Sequence, residues 1–322
     1  MPEMIASTYE IIEKIGSGGG GNVFLAYHVR LGKKVVLKAD KRKITTKPEL
    51  LRREVDILKE LNHPYIPRVY DFFAEGDTVY TVMDYIEGES LDRPLKRGER
   101  FSQSQVITWA CELLEALSYL HSPTHGEPPR GFVHSDIKPA NLMRTRDGHI
   151  CLIDFNIALA LGEENVIGCS AGYASPEHYG LDYSSKSALG FVSDSHIREN
   201  EPKDEMATVL MADDGADSTL TVAEPNRTET FHKEESASSQ YKKVVPDVRS
   251  DIYSAGATLY HLLSGKRPAK DALAVEPLLE ENISLLVCRI IEKAMNPNPD
   301  LRYQTADEML AVLAGEAETE SE

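Results

Sequence analysis

The chain has 322 residues, with 35 Lys/Arg against 52 Asp/Glu and a formal net charge of −17 at pH 7. This excess of negative charge argues against non-specific binding to nucleic acid and against docking on anionic lipid. The sequence contains no run of about eighteen apolar residues and its start lacks the features of a signal peptide, so we expect no membrane span and a cytoplasmic location. The four cysteines are far apart, which argues against a zinc site or a disulfide framework.

The amino-terminal part of the chain is predicted to form mainly β-strands. Strand candidates lie at 9–15, 23–29, 34–38 and 79–86. One helix is predicted at 48–62, where Pro48 suits a first turn and leucines and an isoleucine form an apolar stripe. The rest of the chain reads mostly as helix, with candidates at 104–121, 251–264, 285–295 and 305–314. Strands followed by helices favour an α+β fold.

Residues 181–246 differ from the rest of the chain in composition. They hold thirteen Asp/Glu against seven Lys/Arg, are rich in Ser and Thr, and show no sustained hydrophobic period. Such a segment cannot bury enough apolar surface to offset the entropy cost of ordering, so we predict a disordered acidic insertion. A passive linker is the simplest interpretation of its role. The end of the chain, 315–322, forms a short acidic tail.

A glycine-rich string begins at Gly16. Together with Gly18, Gly21 and Val23 it matches the spacing Gly-x-Gly-x-x-Gly-x-Val. Glycines at these positions allow the backbone to approach phosphate groups closely, where side chains would clash. Dinucleotide-binding sites use a similar string, but there the third glycine opens a helix. Because the residues that follow are β-like here, we expect the glycines to join two strands; a flexible surface turn is the alternative.

Two polar strings gather the groups that phosphoryl transfer needs. His-Ser-Asp-Ile-Lys-Pro-Ala-Asn begins at His134, and Asp-Phe-Asn begins at Asp154. In this arrangement Asp136 is the candidate group to orient a hydroxyl and take its proton. Lys138 is the candidate to offset charge on the transferring phosphate, and Asn141 with Asp154 the candidate ligands of magnesium. Each residue alone would be an ordinary polar loop residue.

Lys38 and Glu54 are both unusual for their positions. Lys38 ends an apolar strand, and Glu54 lies on the apolar face of the predicted helix, between Leu50 and Leu58. A carboxylate on an apolar face requires a partner. We therefore expect Lys38 and Glu54 to form a pair.

Taken together, these segments resemble eukaryotic-type (Hanks-type) serine/threonine protein kinases, and most closely the bacterial members. The two polar strings are similar to His-Arg-Asp-x-Lys-x-x-Asn and to Asp-Phe-Gly. Ala-Ser-Pro-Glu at 174–177 resembles the Ala-Pro-Glu signature. Asp251 resembles the aspartate of a central buried helix that braces the catalytic loop. The resemblance covers residues 8–180 and 247–314.

The resemblance implies a two-lobed protein-kinase-like fold, with a small β-rich N-lobe at 8–86 and a larger helical C-lobe at 87–180 and 247–314. It implies that the γ-phosphate of ATP is transferred to protein Ser/Thr with Mg²⁺, or alternatively Mn²⁺, as the metal. The implied catalytic residues are Asp136, Lys138, Lys38 and Glu54, and the implied metal ligands are Asn141 and Asp154. The implied nucleotide-binding residues are Gly16, Gly18, Gly21, Val23, Val36, Lys38, Met83, Asp84, Ile86 and Met143.

The roles of three further residues are carried over through the resemblance. Ser170 falls where the family has a Thr or Ser that touches the catalytic Asp and Lys. Glu177 is expected to form a buried ion pair with Arg302, although each residue alone could be plain surface charge.

Four positions depart from the family pattern. Ser135 replaces the arginine that usually precedes the catalytic aspartate and receives an activation-loop phosphate. Asn156 replaces the glycine of Asp-Phe-Gly, Val36 stands where an alanine faces the adenine, and Gly20 replaces an aromatic residue. The departures at Ser135, Asn156 and Val36 motivate the main alternative, a pseudokinase or scaffold that docks phosphothreonine-binding partners. A small-molecule phosphotransferase of the antibiotic-kinase type is a third interpretation, disfavoured because those enzymes lack Lys138 and the Ala-Ser-Pro-Glu segment.

The acidic insertion carries candidate phosphorylation sites. These are Thr208, Thr219, Thr221, Thr228 and Thr230. A tether beside an active site has a high effective concentration there, so we expect phosphorylation in cis. Phosphothreonine adds negative charge and acceptor oxygens, so the modified segment could recruit a phosphothreonine-binding domain of the forkhead-associated type.

Overall fold

The computed structural model describes residues 3–18, 21–40, 58–124, 131–154, 170–179, 181, 183, 246–269 and 283–321. For Gly18, Asp40 and residues 316–321 it describes the backbone alone. Glu54 with most of the expected helix at 48–62, Gly20, Phe155, Asn156 and the five candidate threonines lie outside the described residues. The described residues fall in one unit formed by Met1–Lys186 and Val244–Glu322. No helix within these ranges has the length and apolar character needed to cross a lipid bilayer.

The amino-terminal lobe is built on an antiparallel sheet. Its strands are β1 Met4–Ile5, β2 Tyr9–Gly18, β3 Gly21–His28, β4 Lys33–Asp40, β5 Val69–Glu75 and β6 Thr78–Asp84. They are ordered β1-β2-β3-β4-β6-β5, so β4 lies between β3 and β6. The glycine-rich string spans the β2–β3 connection, with Gly18 paired to Gly21. The expectation that the glycines join two strands is confirmed.

The pleat of β4 separates two sets of side chains. Val35 and Leu37 are fully buried and join the small apolar core of this lobe. Because successive side chains on a strand point to opposite faces, Val36 and Lys38 point away from that core. Both are only partly buried. The alternation in the sequence therefore sorts β4 into a packing face and a face that is free to line a cleft.

The second lobe is mainly helical and carries one small sheet. This sheet consists of β7 Gly88–Ser90, β8 Leu142–Thr145 and β9 Ile150–Leu152, in the order β7-β8-β9. The described helices of eight or more residues are α2 Gln103–His121, α3 Val248–Ser264, α4 Leu285–Ala294 and α5 Ala306–Ser321, and a short α1 spans Asp92–Lys96. Capping boxes at Ser102 and Asp247 satisfy free backbone amides at the starts of α2 and α3.

Helix α3 forms the centre of the second lobe. Nearly all of its side chains are buried, which explains its apolar sequence. Gly256 lets α4 approach closely, because a Cβ there would lie 2.8 Å from the Cβ of Ala294. The helix ends at Gly265, whose φ of 64° is a left-handed conformation that glycine adopts at low cost. Residues that follow Gly265 turn back towards the segment around Ser170.

The expected two-lobed α+β arrangement is confirmed. Strands and helices were predicted in the right order, and α2, α3, α4 and the first part of α5 lie where the periodicity places them. The described chain after residue 86 is mainly helical, as predicted, but the three short strands β7, β8 and β9 were not predicted. Strands β1 and β5 were also not predicted.

Candidate active site

The carboxylate of Asp136 lies at the centre of a cluster of hydrogen-bond donors. Lys138 Nζ lies 2.9 Å from Oδ1 and 2.8 Å from Oδ2. Ser170 Oγ donates to Oδ1 at 2.6 Å, and the side-chain amide of Asn141 donates to Oδ2 at 3.0 Å. Lys138 Nζ also contacts Ser170 Oγ at 2.8 Å, which closes a triangle. Three residues from two segments of the chain thus fix the orientation of one carboxylate.

Asp251 braces the backbone of the loop that carries Asp136. Its carboxylate accepts the backbone amides of His134 and Ser135, each at 2.7 Å, and contacts His121 Nε2 at 2.9 Å. Asp251 is fully buried. Burial by itself raises the pKa of this carboxyl, but the hydrogen bond and charge of His121, with the loop amide, outweigh it and hold the pKa below its usual range. A buried, ionised carboxylate therefore anchors the loop to α3.

Two residues of the site adopt a backbone conformation that is rare outside glycine. Ser135 has a φ of 63° and Asp154 a φ of 69°. Such conformations cost about 1–3 kcal/mol each and persist only where surrounding contacts impose them. At Ser135 the Asp251 hydrogen bond to its amide does so. The buried Ser135 hydroxyl has no hydrogen-bond partner among the described residues, so the serine side chain does not supply that support.

His134 connects the loop to the strand end that carries Asp154. Its Nδ1 accepts the Asp136 amide at 3.3 Å, and its Nε2 lies 3.3 Å from the carbonyl of Ile153. These partners require the neutral tautomer with the proton on Nε2. Burial lowers the pKa of His134, which favours the same neutral form. The ring is therefore a fixed spacer between the two polar strings.

Asn141 and Asp154 are brought together by the β8–β9 hairpin. Leu142 pairs with Leu152, and the Ile153 amide donates to the Asn141 carbonyl at 2.9 Å, so the ladder continues up to both candidate ligands. The amide nitrogen of Asn141 is committed to Asp136. Its amide oxygen is the group that remains for a cation.

These two residues fit a magnesium ion. Mg²⁺ takes oxygen ligands and is usually held by one or two protein groups together with substrate phosphates and water. In the described part of the chain, no group of three or more His, Cys, Asp or Glu residues is arranged to hold a metal. One carboxylate and one amide oxygen match the small set of protein ligands that a phosphate-bound Mg²⁺ takes.

Lys38 forms an ion pair with Asp154 across the cleft. Lys38 Nζ donates directly to Asp154 Oδ1. Both side chains keep partial exposure, 23% and 41%, so the pair is open to an incoming ligand. The expected pairing of Lys38 with Glu54 stays a prediction, because Glu54 lies outside the described residues.

The candidate nucleotide-binding side chains share one face of the large sheet. Val23 pairs directly with Lys38, and Val36 pairs with Met83. Directly opposed residues in a sheet project to the same side. Leu25, which pairs with Val36, belongs to this face too and was missed, because a leucine inside a strand carries no signal of ligand contact.

The remaining candidates lie where the two lobes join. Ile86 follows β6, and Met143 lies in β8 opposite Ser90 of β7. Asp84 ends β6, but its carboxylate is engaged by Lys33 Nζ at 3.1 Å and Tyr70 OH at 2.5 Å. Its backbone amide also donates to the Arg68 carbonyl at 3.0 Å, so neither the carboxylate nor the amide of Asp84 is open to a nucleotide.

The segment around Ser170 is tied to the core by two side chains. Glu177 and Arg302 form the expected buried ion pair. Tyr173 OH lies 2.6 Å from His261 Nδ1 near the end of α3. His121 and His261 were not singled out from the sequence, because a histidine in a helix has no distinguishing signal there. Their roles became visible only through their partners.

Comparison with known protein families matches residues 9–195, more than half of the chain, to the protein kinase domain. The chain belongs to this family. Similar proteins include a probable serine/threonine-protein kinase of Streptomyces coelicolor, 28% identical over 96% of this chain and 40% of that protein. Others are serine/threonine-protein kinase PknA of Nostoc (28% identical; 97% and 48%) and PknB of Mycolicibacterium smegmatis (26% identical; 97% and 43%). This protein kinase sequence thus spans less than half the length of these relatives.

Proposed function

We propose that this protein kinase transfers the γ-phosphate of ATP to serine or threonine hydroxyls of proteins. The observation that carries the proposal is the cluster of Asp136, Lys138, Asn141 and Ser170, in which an oriented carboxylate adjoins a lysine ammonium. The names of the relatives support the serine/threonine class. The buried ion pair between Glu177 and Arg302 supports a protein substrate, because it fixes the segment 170–177, called here the substrate platform, whose Ser170 contacts Asp136.

In this proposal each residue has a distinct role. Asp136 orients the acceptor hydroxyl and accepts its proton as the oxygen attacks phosphorus. Lys138 lies beside that carboxylate and offsets the charge that develops on the transferring phosphate. Lys38 contacts the phosphates that remain with the nucleotide, and Glu54 is proposed to hold it in place. Ser170 keeps Asp136 and Lys138 at a fixed separation.

Asn141 and Asp154 are proposed to hold Mg²⁺, with Mn²⁺ as an alternative. A bound divalent ion would supply charge neutralisation between phosphate oxygens. The ion pair between Lys38 and Asp154 supports this assignment, because the residue proposed to contact the phosphates lies beside a proposed ligand of the ion. The face that carries Val23, Val36, Lys38 and Met83 is the proposed wall of the adenine and phosphate pocket.

We further propose that the acidic insertion at 181–246 is phosphorylated in cis and binds a phosphothreonine reader. Its support lies in the sequence. Five threonines with acidic neighbours lie between the Ala-Ser-Pro-Glu segment at 174–177 and helix α3. A spacer without a partner is the alternative. Deletion of residues 186–243 is expected to leave catalysis within a few-fold of wild type, because no proposed catalytic residue lies there.

The decisive experiment is mass spectrometry of the protein after incubation with Mg-ATP. We expect phosphate on serine or threonine in the wild type, and a kcat lowered by about 10²–10⁴ in Asp136→Asn. Equal incorporation in both proteins would contradict the assignment of Asp136. Incorporation confined to residues outside the insertion would leave the kinase proposal intact and contradict the docking proposal.

A further inference from the structure

The side of Asp136 from which an acceptor can approach is bounded by Ser170. Lys138 contacts both carboxylate oxygens of Asp136, Asn141 contacts Oδ2, and Ser170 lies against Oδ1 at 2.6 Å. A polypeptide that presents a hydroxyl to Asp136 must therefore pass over the residues that follow Ser170. The charges next to this segment decide which flanking residues are favoured.

Arg267 lies directly on that segment. It donates a hydrogen bond from Nη2 to the carbonyl of Ala171, the residue after Ser170. Its guanidinium lies 5.0 Å from the ring centroid of Tyr173. Arg267 is nevertheless exposed to solvent. Because a guanidinium carries further N–H donors in a planar fork, the side chain can still donate two hydrogen bonds to a carboxylate.

The Arg267 side chain is held in place rather than free to move. Gly172 has a φ of 85°, and a Cβ there would lie 2.4 Å from the Pro268 carbonyl and 3.3 Å from Arg267 Nε. The two segments are thus in close contact, and Tyr173 is fixed by His261 from below. An arginine fixed by stacking and a hydrogen bond loses little entropy when it binds an anion.

Among the residues that the structure describes, the other charges near this surface do not cancel Arg267. Asp92 is the acidic group close enough to influence both Tyr173 and His261, but its carboxylate is paired with Lys96 at 2.8 Å. Two more exposed cations, Arg100 and Lys266, lie near the end of α3. Arg100 donates a hydrogen bond to the Ser264 carbonyl there. In a chain of net charge −17, this is a local concentration of positive charge.

The sequence supplies an independent indication of the preferred partner. Each threonine proposed as a phosphorylation site in the insertion has an Asp or Glu within the four residues before it. The pairs are Thr208 with Asp204 and Glu205, Thr219 and Thr221 with Asp217, Thr228 with Glu224, and Thr230 with Glu229. We propose that Arg267 is a specificity-determining residue that selects substrates with acidic residues within about four positions of the acceptor hydroxyl. The inference rests on the proposed kinase function and names its substrate class.

A peptide of residues 201–211 is a suitable probe, because Thr208 is its one hydroxyl-bearing residue and Asp204 and Glu205 precede it. The comparison peptides carry Asp204→Asn with Glu205→Gln, or Lys at both positions. The kinase of residues 1–322 is assayed with each peptide at saturating Mg-ATP. We expect the wild type to prefer the acidic peptide over its amide form by about tenfold in kcat/KM.

Substitutions at Arg267 separate specificity from catalysis. Arg267→Gln should bring the acidic-to-amide ratio to about one while phosphorylation of the amide peptide stays near wild type, and Arg267→Glu should favour the lysine peptide. Arg267→Lys should keep part of the preference, because charge remains but the fork is lost. Arg146→Gln is the matched control, since Arg146 is exposed and paired with Glu87 elsewhere; its ratio should equal that of the wild type.

The outcomes distinguish the inference from the function on which it rests. A wild-type enzyme that uses all three peptides equally, or an acidic preference that survives Arg267→Gln, overturns the role of Arg267 and leaves the kinase function standing. A loss of activity on all peptides by the same factor in Arg267→Gln shows a structural role and also overturns it. If the wild type transfers phosphate to no peptide and to no residue of its own, the proposed function fails as well.

Discussion

Glu177 and Arg302 form a two-pronged ion pair inside the second lobe, although 125 residues separate them in sequence. Arg302 Nη1 lies 2.6 Å from Oε1, and Nη2 lies 2.9 Å from Oε2. The Arg302 side chain is 0% exposed and the Glu177 side chain is 4% exposed. The remaining donors of Arg302 are taken by backbone carbonyls, among them that of Asn296 at 2.6 Å. The pair therefore joins the substrate platform to the loop before α5 without leaving a guanidinium donor group unused.

Loss of one member of this pair should destabilise the protein strongly. Arg302→Met leaves the Glu177 carboxylate buried without its partner, so we expect the free energy of unfolding to fall by about 3–5 kcal/mol in urea titrations. The double variant with Glu177→Gln should recover part of that loss. The Arg146 side chain, which pairs with Glu87, is 75% exposed. Arg146→Met should therefore lower the free energy of unfolding by at most about 1 kcal/mol. Equal effects at the two arginines would contradict the assignment of Arg302 as a buried anchor.

Lys38 should be needed for phosphate transfer, whereas its neighbour on the same face of β4 should not. Lys38→Met removes the cation that contacts Asp154, and we expect kcat/KM for ATP to fall by about 10²-fold or more. Lys34 lies four residues before Lys38 on β4, so it projects from the same face, and it is exposed. Lys34→Met is therefore the control and should stay within about twofold, measured by release of ADP. Wild-type turnover in Lys38→Met would refute the proposed role.

The contact between His149 and Glu112 should make stability depend on pH. His149 Nδ1 lies 2.5 Å from Oε1 of Glu112, and this hydrogen bond and charge raise the pKa of His149. A raised folded-state pKa means that the stabilisation is complete below the unfolded-state value of about 6.5 and is lost as pH rises through the folded-state value. The difference in Tm between wild type and His149→Gln should therefore shrink as pH is raised from acidic to alkaline. A difference that stays constant or grows would be inconsistent with this linkage.

Thr258 offers a test of an unpaired hydroxyl in the core. It is fully buried in α3, and its Oγ1 has no hydrogen-bond partner among the described residues. Thr258→Val removes that group at nearly constant shape, so the free energy of unfolding should stay equal or rise by up to about 1 kcal/mol. Ser254→Ala on the same helix removes a hydrogen bond to the Ser250 carbonyl and should lower it by about 1 kcal/mol. Destabilisation by Thr258→Val would show that the hydroxyl has a partner.

The parts of the fold that could be predicted are those with a strong local pattern. Long helices such as α2 and α3 carry many turns of apolar spacing, and β4 alternates cleanly between faces. The strands of the small sheet have three or four residues, too few for a period to emerge. In β5, the adjacent Phe72 and Phe73 are both half-buried, so the hydrophobic pattern does not alternate.

In the candidate site, too, the residues that could be predicted are those with a local sequence pattern. The sequence placed Asp136, Lys138 and Asn141 together because all three lie in one short string. It could not show that His121 supports this string through Asp251, since the contact joins the end of α2 to α3 across 130 positions. Nor could it show that Arg267 lies on Ala171, because the two are joined by tertiary packing alone.

Side chains along β4 alternate between two faces, so the position of a residue along the strand decides which face it occupies. Lys38 reaches the cleft because it is in step with Val36 and out of step with Val35 and Leu37, which face the core. Removal of one residue before Lys38 would direct the ammonium into the apolar layer and a core side chain into the cleft. Addition of two residues in the turn at 29–32 would leave both faces as they are. A length change in the turn at 29–32 therefore preserves both faces of β4, whereas an odd shift within β4 exchanges them and disrupts the core and the site together.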